Sequence, residues 1–460
     1  MDKVHTLPEG IADISEGATI AVSGFGVAHN FPSTLIGALR ERGTRNLTVV
    51  SNSLGIGEHA PEVLVANRQV SRLIVSFSAR PGVDSMAEQL IREGLIDLEL
   101  VPQGILVERM RAAAAGLPAF YSPTTVGTPL AYGKELREFD GRPYVLERAL
   151  PVDFAFLRAL RADRVGNVEF RGSSQNFNPS FGKGARVAIV EADEIVEEGE
   201  IPPDRVGLPG VFVTRVVQST VSHEVAPSAA RRRPADSARE YDGKRALTRT
   251  EIAERASRLL PDGSYVNLGT GLPNLVANYL LERDVRLHSE NGVLSYGPRV
   301  ADGDVDPDLY DAGGGFVIPR RGMSFFDSVT SFEIARSGRL TAVVLGGYQV
   351  DGGGNLANWS TPDQVGGGIG GAMDLIAGGS TLIIVMEHLD SQGRPKLVDE
   401  CTYPLTGQGC VDVVVTDVGL FRFRDGHACL EEVAPGFTAD EVLAMTGFRA
   451  SKADPVREMR

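Results

Sequence analysis

The chain has 460 residues, 42% of them apolar and 23% charged, and a formal charge of −14 from 46 basic and 60 acidic side chains. Such a length allows two or three domains with sizeable cores, and the acidic balance argues against nucleic acid or anionic membrane as partners. Cys401, Cys410 and Cys429 form no CxxC pair, so neither a disulfide framework nor a metal is expected, and a reducing compartment suits them.

No apolar leader opens the sequence, and no run approaches the ~20 apolar residues of a membrane span. A cytoplasmic protein is expected. Residues 18–22, 47–50 and 187–190 are short buried strands by pattern, as are 342–345 and 381–385. Continuous β-branched runs between helical patterns predict an α/β fold with mostly parallel sheets. Residues 228–237, with Arg231, Arg232, Arg233 and Pro234, lack apolar periodicity and read as a linker. This predicts an N-terminal domain over 1–225, a linker over 226–246 and a C-terminal domain over 247–460.

The two halves begin alike. Gly24 and Gly26 follow the first strand, and Pro32 opens a helix bearing Leu35 and Ile36. Gly269 and Gly271 follow residues 265–268, and Pro273 opens a helix bearing Leu275 and Val276. Proline suits a first helical turn because its missing N–H would have been unpaired there. The repetition points to a duplicated unit with its site in the groove between halves. Neither Gly loop completes the dinucleotide fingerprint, since His29 and Asn274 stand at the third glycine position. Gly366, Gly368 and Gly371 match it in form, but residues 361–364 before them read as loop rather than strand.

Ser289-Glu290-Asn291-Gly292 follows a strand pattern, and Gly370-Gly371-Ala372-Met373-Asp374 lies downstream. Together with the Gly loop at Gly269 these segments resemble the class I coenzyme A transferases of the succinyl-CoA:3-oxoacid type. Further matches are Val101-Pro102-Gln103-Gly104, Gly166-Asn167-Val168, Leu356-Ala357-Asn358-Trp359 and the segment from Cys401 to Gly407. They run over nearly the whole chain, in the order of two subunits fused into one. The resemblance implies two similar open α/β domains with the active site between them. It implies Glu290 as nucleophile, with the Gln103 side chain and the Gly371 N–H as oxyanion donors. It also implies that Asn52, Asn267, Gly269 and Ala372 line the coenzyme A. Coenzyme A is then a substrate rather than a tightly bound cofactor, exchanged between an acyl-CoA and a small carboxylic acid. A homodimer or homotetramer is expected.

The chemistry suits those residue types. A carboxylate attacking an acyl-CoA gives a mixed anhydride, and the freed thiolate converts it to an enzyme thioester, so the thioester energy is kept. Each step passes through an oxyanion that needs donors aimed at it. No step abstracts a proton, so His288 is read as a packing residue. The sequence departs from the family at Ala28-His29-Asn30-Phe31-Pro32-Ser33, at Asn52-Ser53, at Ala131-Tyr132-Gly133 and at Gly314, where relatives often carry a lysine. Those changes bear on the acid and on coenzyme A contacts, not on the nucleophile. The alternatives are an acyl-CoA or C–C bond hydrolase on the same scaffold, or a non-catalytic CoA-binding protein.

Overall fold

The computed structural model describes residues 2–26, 30–79, 85–221, 236–300 and 305–459. In the first half seven parallel strands lie in the order Arg215–Gln218, Ala185–Val196, Val152–Asp163, Thr19–Val22, Leu47–Ser53, Val70–Phe77, Asp97–Leu100. The short strand Val168–Glu169 adds antiparallel to Val152–Asp163. Successive residues feed opposite faces, as strand geometry requires. Ile20 and Val22 join one apolar cluster and Ala21 the other, and all three are fully buried. This is why the pattern reads as an uninterrupted apolar run.

The second half is built on ten strands, ordered Val317–Phe325, Val293–Arg299, Val285–Ser289, Ser264–Leu268, Ala342–Leu345, Thr381–Val385, Val413–Val415, Gly419–Arg424, His427–Val433, Ser451–Glu458. The five from Val285–Ser289 to Val413–Val415 are mutually parallel. The flanks are antiparallel apart from the last pair.

In each half the first central strand, Thr19–Val22 or Ser264–Leu268, is the one from which the chain builds outward in both directions. Loops leaving the carboxyl ends of strands at such a switch point form a crevice, the usual ligand site of open α/β sheets. The Gly loops found in sequence are these two loops.

Two expectations need adjusting. Pro32 caps a true α-helix, Ser33–Arg42, but the segment opened by Pro273 is a 3₁₀ helix, Leu272–Tyr279. Its entry at Gly271 has φ +84°. Of the expected linker, 226–235 lies outside the described residues, as does His29. Its second part is not irregular: Glu240–Tyr241 and Lys244–Arg245 form a hairpin. Tyr241 Oη donates to Asp417 Oδ2 at 2.8 Å, docking the hairpin on the second half.

The halves are joined by a glycine-rich strap, residues 366–371, laid along the end of Val70–Phe77. Ser78 N donates to Gly367 O at 3.0 Å, Ile369 N to Ser76 O at 2.9 Å, and Gln103 N to Gly370 O at 3.0 Å. A Cβ at Gly366 would lie 2.2 Å from Ser78 Oγ, and one at Gly370 2.9 Å from the Phe77 ring. The glycines that mimic a dinucleotide fingerprint serve this close approach of two backbones.

Candidate active site

Glu290 stands in the tight turn that leaves Val285–Ser289 and returns as Val293–Arg299. Gly292 makes the turn possible. Its φ is +96°, and a Cβ there would meet Phe326 O at 1.8 Å, so no other residue fits. Behind the turn, Ser289 Oγ donates to Asn291 Oδ1 at 2.5 Å, and Asn291 Nδ2 to Tyr310 O at 2.7 Å. Ser331 Oγ donates to Ser289 O at 3.2 Å.

Glu290 is 6% exposed, and its carboxyl Oε2 is buried with no hydrogen-bond partner among the described residues. Burial pushes its pKa up to about 7, with Asp311 and Asp374 adding to the rise, while its own backbone N–H and the Asn267 amide oppose it. An unpaired buried oxygen is costly, and with its raised pKa at a cavity wall it makes Glu290 a candidate for chemistry.

Gln103 and Gly371 converge on this carboxyl from opposite halves. Gln103 opens the helix Gln103–Ala114, and Gly371 caps the helix Ala372–Ala377. A Cβ added to Gly371 would lie 3.1 Å from Gln103 Oε1 and 3.1 Å from Glu290 Cγ. Gln103 Nε2 donates to Asn52 Oδ1 at 2.7 Å, which leaves Asn52 to orient the amide. Below them, the buried Asp374 carboxylate accepts Gly104 N at 2.9 Å and Thr124 Oγ1 at 3.2 Å from the first half. Arg336 bridges Asp374 at 3.2 Å to Glu108 at 3.0 Å. Sequence patterning offers no signal for this network, because its members lie far apart along the chain.

A cavity of about 310 Å³ opens beside Glu290, lined by Gln103, Gly269, Gly371 and Ala372 among others. Five expected site residues, Glu290, Gln103, Gly371, Gly269 and Ala372, therefore share one wall. Asn52 and Asn267 do not: both are fully buried one layer behind it. Asn267 Nδ2 sits 3.1 Å from His288 Nδ1, and Ser331 Oγ 3.0 Å from His288 Nε2. Burial pushes the His288 pKa down to about 4, so the ring is neutral and holds Asn267 against the Glu290 turn. The packing role read for His288 fits this placement. Arg249, Glu387 and Lys396 also line the cavity, and sequence reasoning missed all three. No group of three or more His, Cys, Asp or Glu side chains suited to a metal occurs among the described residues.

The "Coenzyme A transferase" family model matches residues 4–219 and 249–445. The chain is 38% identical over 469 residues to rat succinyl-CoA:3-ketoacid coenzyme A transferase 2A, mitochondrial, covering 97% of this chain and 89% of that protein. Its first half is 47% identical over 204 residues to one of the subunits of the succinyl-CoA:3-ketoacid coenzyme A transferase of Xanthomonas campestris, covering 44% of this chain and 83% of that subunit. The solved acyl-CoA transferase of Escherichia coli O157:H7 superposes with TM-score 0.80 at 21% identity, covering all of this chain and 95% of that one; the fold is shared. The chain belongs to the coenzyme A transferase family, with the two subunit-like halves fused in one polypeptide.

Proposed function

We propose that the enzyme moves coenzyme A from an acyl-CoA, of the succinyl-CoA class, to a 3-oxoacid by way of a thioester on Glu290. The carrying observation is the Glu290 carboxyl itself: buried, with an unpartnered oxygen, at the wall of a cavity between halves. In the first step its oxygen attacks the thioester carbonyl carbon, the C–S bond breaks, and CoA leaves as thiolate from a glutamyl mixed anhydride. The thiolate then attacks the glutamyl carbonyl, expels the first acid as carboxylate and leaves glutamyl-CoA. The acceptor carboxylate repeats these steps in reverse.

Both oxyanions form beside Gln103 and Gly371. The Gln103 amide and the Gly371 N–H are the proposed donors, and losing one such donor typically costs ~10² to 10³ in rate. Burial of the site keeps water from the anhydride, which favours transfer over hydrolysis. Glycine-lined stretches at Gly269, Gly347 and Gly368 admit a narrow chain carrying amides, which suits the pantetheine arm.

Incubation with an acyl-CoA and no acceptor should add a coenzyme A-sized mass to the peptide holding Glu290, and kinetics should be ping-pong. An unmodified peptide in an actively exchanging sample overturns the covalent route. The three free cysteines support a reducing setting such as the cytoplasm. The solvent-facing edge strand Val317–Phe325, with exposed Ile318 and Phe325, supports a homodimer or homotetramer, which sedimentation would test.

A further inference from the structure

Beside the Glu290 turn a buried ion pair joins two loops of the second half. Arg299 closes the strand Val293–Arg299 that leaves the turn, and it grips Asp311 with Nε to Oδ2 at 2.6 Å and Nη2 to Oδ1 at 2.8 Å. Asp311 is 2% exposed and also accepts Gly313 N at 2.9 Å and Gly315 N at 3.0 Å. A Cβ at Gly313 would lie 2.4 Å from Arg299 Nη2, and one at Gly315 2.1 Å from Arg299 Nε, so these two glycines make room for the guanidinium. On its other side Arg299 Nη2 donates to Asn274 Oδ1 at 2.7 Å, and Asn274 Nδ2 donates to Gly269 O at 3.1 Å. Gly269 and Ala312, one from each loop, line the cavity with Glu290.

Asp311 lies close to the nucleophile. Asn291, the residue after Glu290, donates from Nδ2 to the carbonyl of Tyr310, the residue before Asp311, at 2.7 Å. A bidentate arginine both offsets a carboxylate's charge and fixes its direction. We infer that Arg299 is a positioning residue for the transfer, which screens the Asp311 charge from Glu290 and holds the two loops beside the nucleophile at one spacing, an inference resting on the CoA-transfer reading. Asp311 and Asp374 are the two carboxylates that add to the rise of the Glu290 pKa. Arg336 pairs with Asp374, as Arg299 does with Asp311. The other titratable groups around the site change little here. The buried His288 ring is neutral, burial pushes the Tyr296 hydroxyl further up from its ordinary value, Arg249 pairs with Glu387, and Lys396 lines the same cavity.

The test follows the rate of enzyme thioester formation against pH. Arg299→Gln leaves the Asp311 carboxylate facing Glu290 without its cation. The midpoint should move above the wild-type value of about 7, and the rate at neutral pH should fall roughly twofold to tenfold and recover at higher pH. Asp311→Asn leaves the cation alone, so its midpoint should move the other way. The double variant restores the charge balance and should bring the midpoint back to the wild-type value, whatever it loses in stability. Arg299→Lys keeps the charge without the two-point grip, so its midpoint should hold while KM for acyl-CoA rises. Shifts of one sign in both single variants, or none in Arg299→Gln, overturn the inference. So does a double variant no closer to wild type than the worse single one. The labelled carboxyl carbon of Glu290, its NMR signal assigned with Glu290→Gln, gives the same midpoints without turnover. Midpoints that move as stated in a protein forming no thioester keep the role of Arg299 and remove the transfer reading; a thioester formed with fixed midpoints does the reverse.

Discussion

The Asp374 carboxylate accepts the backbone N–H of Gly104 at 2.9 Å, across the junction of the two halves. Gly104 follows Gln103, and Asp374 lies three residues after Gly371, so this bond, with that of Gln103 N to Gly370 O, ties together the segments that carry both proposed oxyanion donors. Burial pushes the Asp374 pKa up, while Arg336 and Gly104 N–H oppose the rise. Replacing the charge breaks a buried pair, which typically costs ~3 to 5 kcal/mol. Asp374→Asn should lower the denaturation midpoint and reduce kcat by roughly tenfold to a hundredfold, with KM for acyl-CoA nearly unchanged. Steady-state kinetics beside a urea titration would check it; a fall in stability with unaltered kcat would assign Asp374 to the fold alone.

Gly371 offers a more local perturbation. Its φ is −96°, which alanine adopts freely, so Gly371→Ala brings no backbone strain. The new methyl would lie 3.0 Å from Phe332 Cε1 and 3.1 Å from Gln103 Oε1 and Glu290 Cγ, closer than carbons normally pack. The variant should fold, and kcat should fall by ~10² or more as the donors are pushed from the oxyanion. Circular dichroism with turnover measurements would show whether activity and structure separate in this way.

The legible parts of the fold were those fixed locally. Residues 342–345 and 381–385 appear as the strands Ala342–Leu345 and Thr381–Val385, because β-branched runs leave few other choices. Glu290 was legible through its motif, and Gly292 explains the motif's last residue sterically. The strands flanking the second sheet were not read: Val317–Phe325 and Ser451–Glu458 are mostly exposed and carry little apolar patterning. The helix expected after Pro273 is 3₁₀, with Leu272, Val276 and Ala277 buried, and apolar periodicity over so short a segment does not separate the two helix types. Lys396 and Arg249 carried no signal, since only the sheet order brings residues so distant in sequence to one cavity.

Glu290 must be ionised to attack, and its pKa stands near 7. The rate of enzyme thioester formation should therefore rise with pH through about 7 and level off above it. The same shift has a cost in stability. Between the unfolded carboxyl's ordinary value of 4.5 and about 7 the folded state holds the extra proton, so stability falls as pH rises through that window. Glu290→Gln, inactive in transfer, should be the more stable protein at pH 8, by roughly 3 kcal/mol at most, and the difference should vanish near pH 4. Paired denaturant titrations at the two pH values give the comparison.

The buried histidines act in the opposite sense. His388 lies between Thr416 Oγ1 at 3.1 Å and Thr446 Oγ1 at 3.2 Å, and burial pushes its pKa down to about 4, as it does for His288. Unfolded imidazoles take up protons from 6.5 downward, whereas these folded ones do not until about 4, so stability is lost as pH falls between those values. Each ring should remove on the order of 2 kcal/mol by pH 5. In the wild type, protonation of Glu290 offsets part of that loss over the same window. Glu290→Gln removes the offset, so this variant should lose stability between pH 7 and 5 more steeply than the wild type. Adding His388→Gln should flatten the slope again, whatever it does to absolute stability, since one titrating ring is gone. An unchanged slope in the double variant would mean that His388 is already charged in the folded protein at pH 5, against the neutral ring that its burial requires.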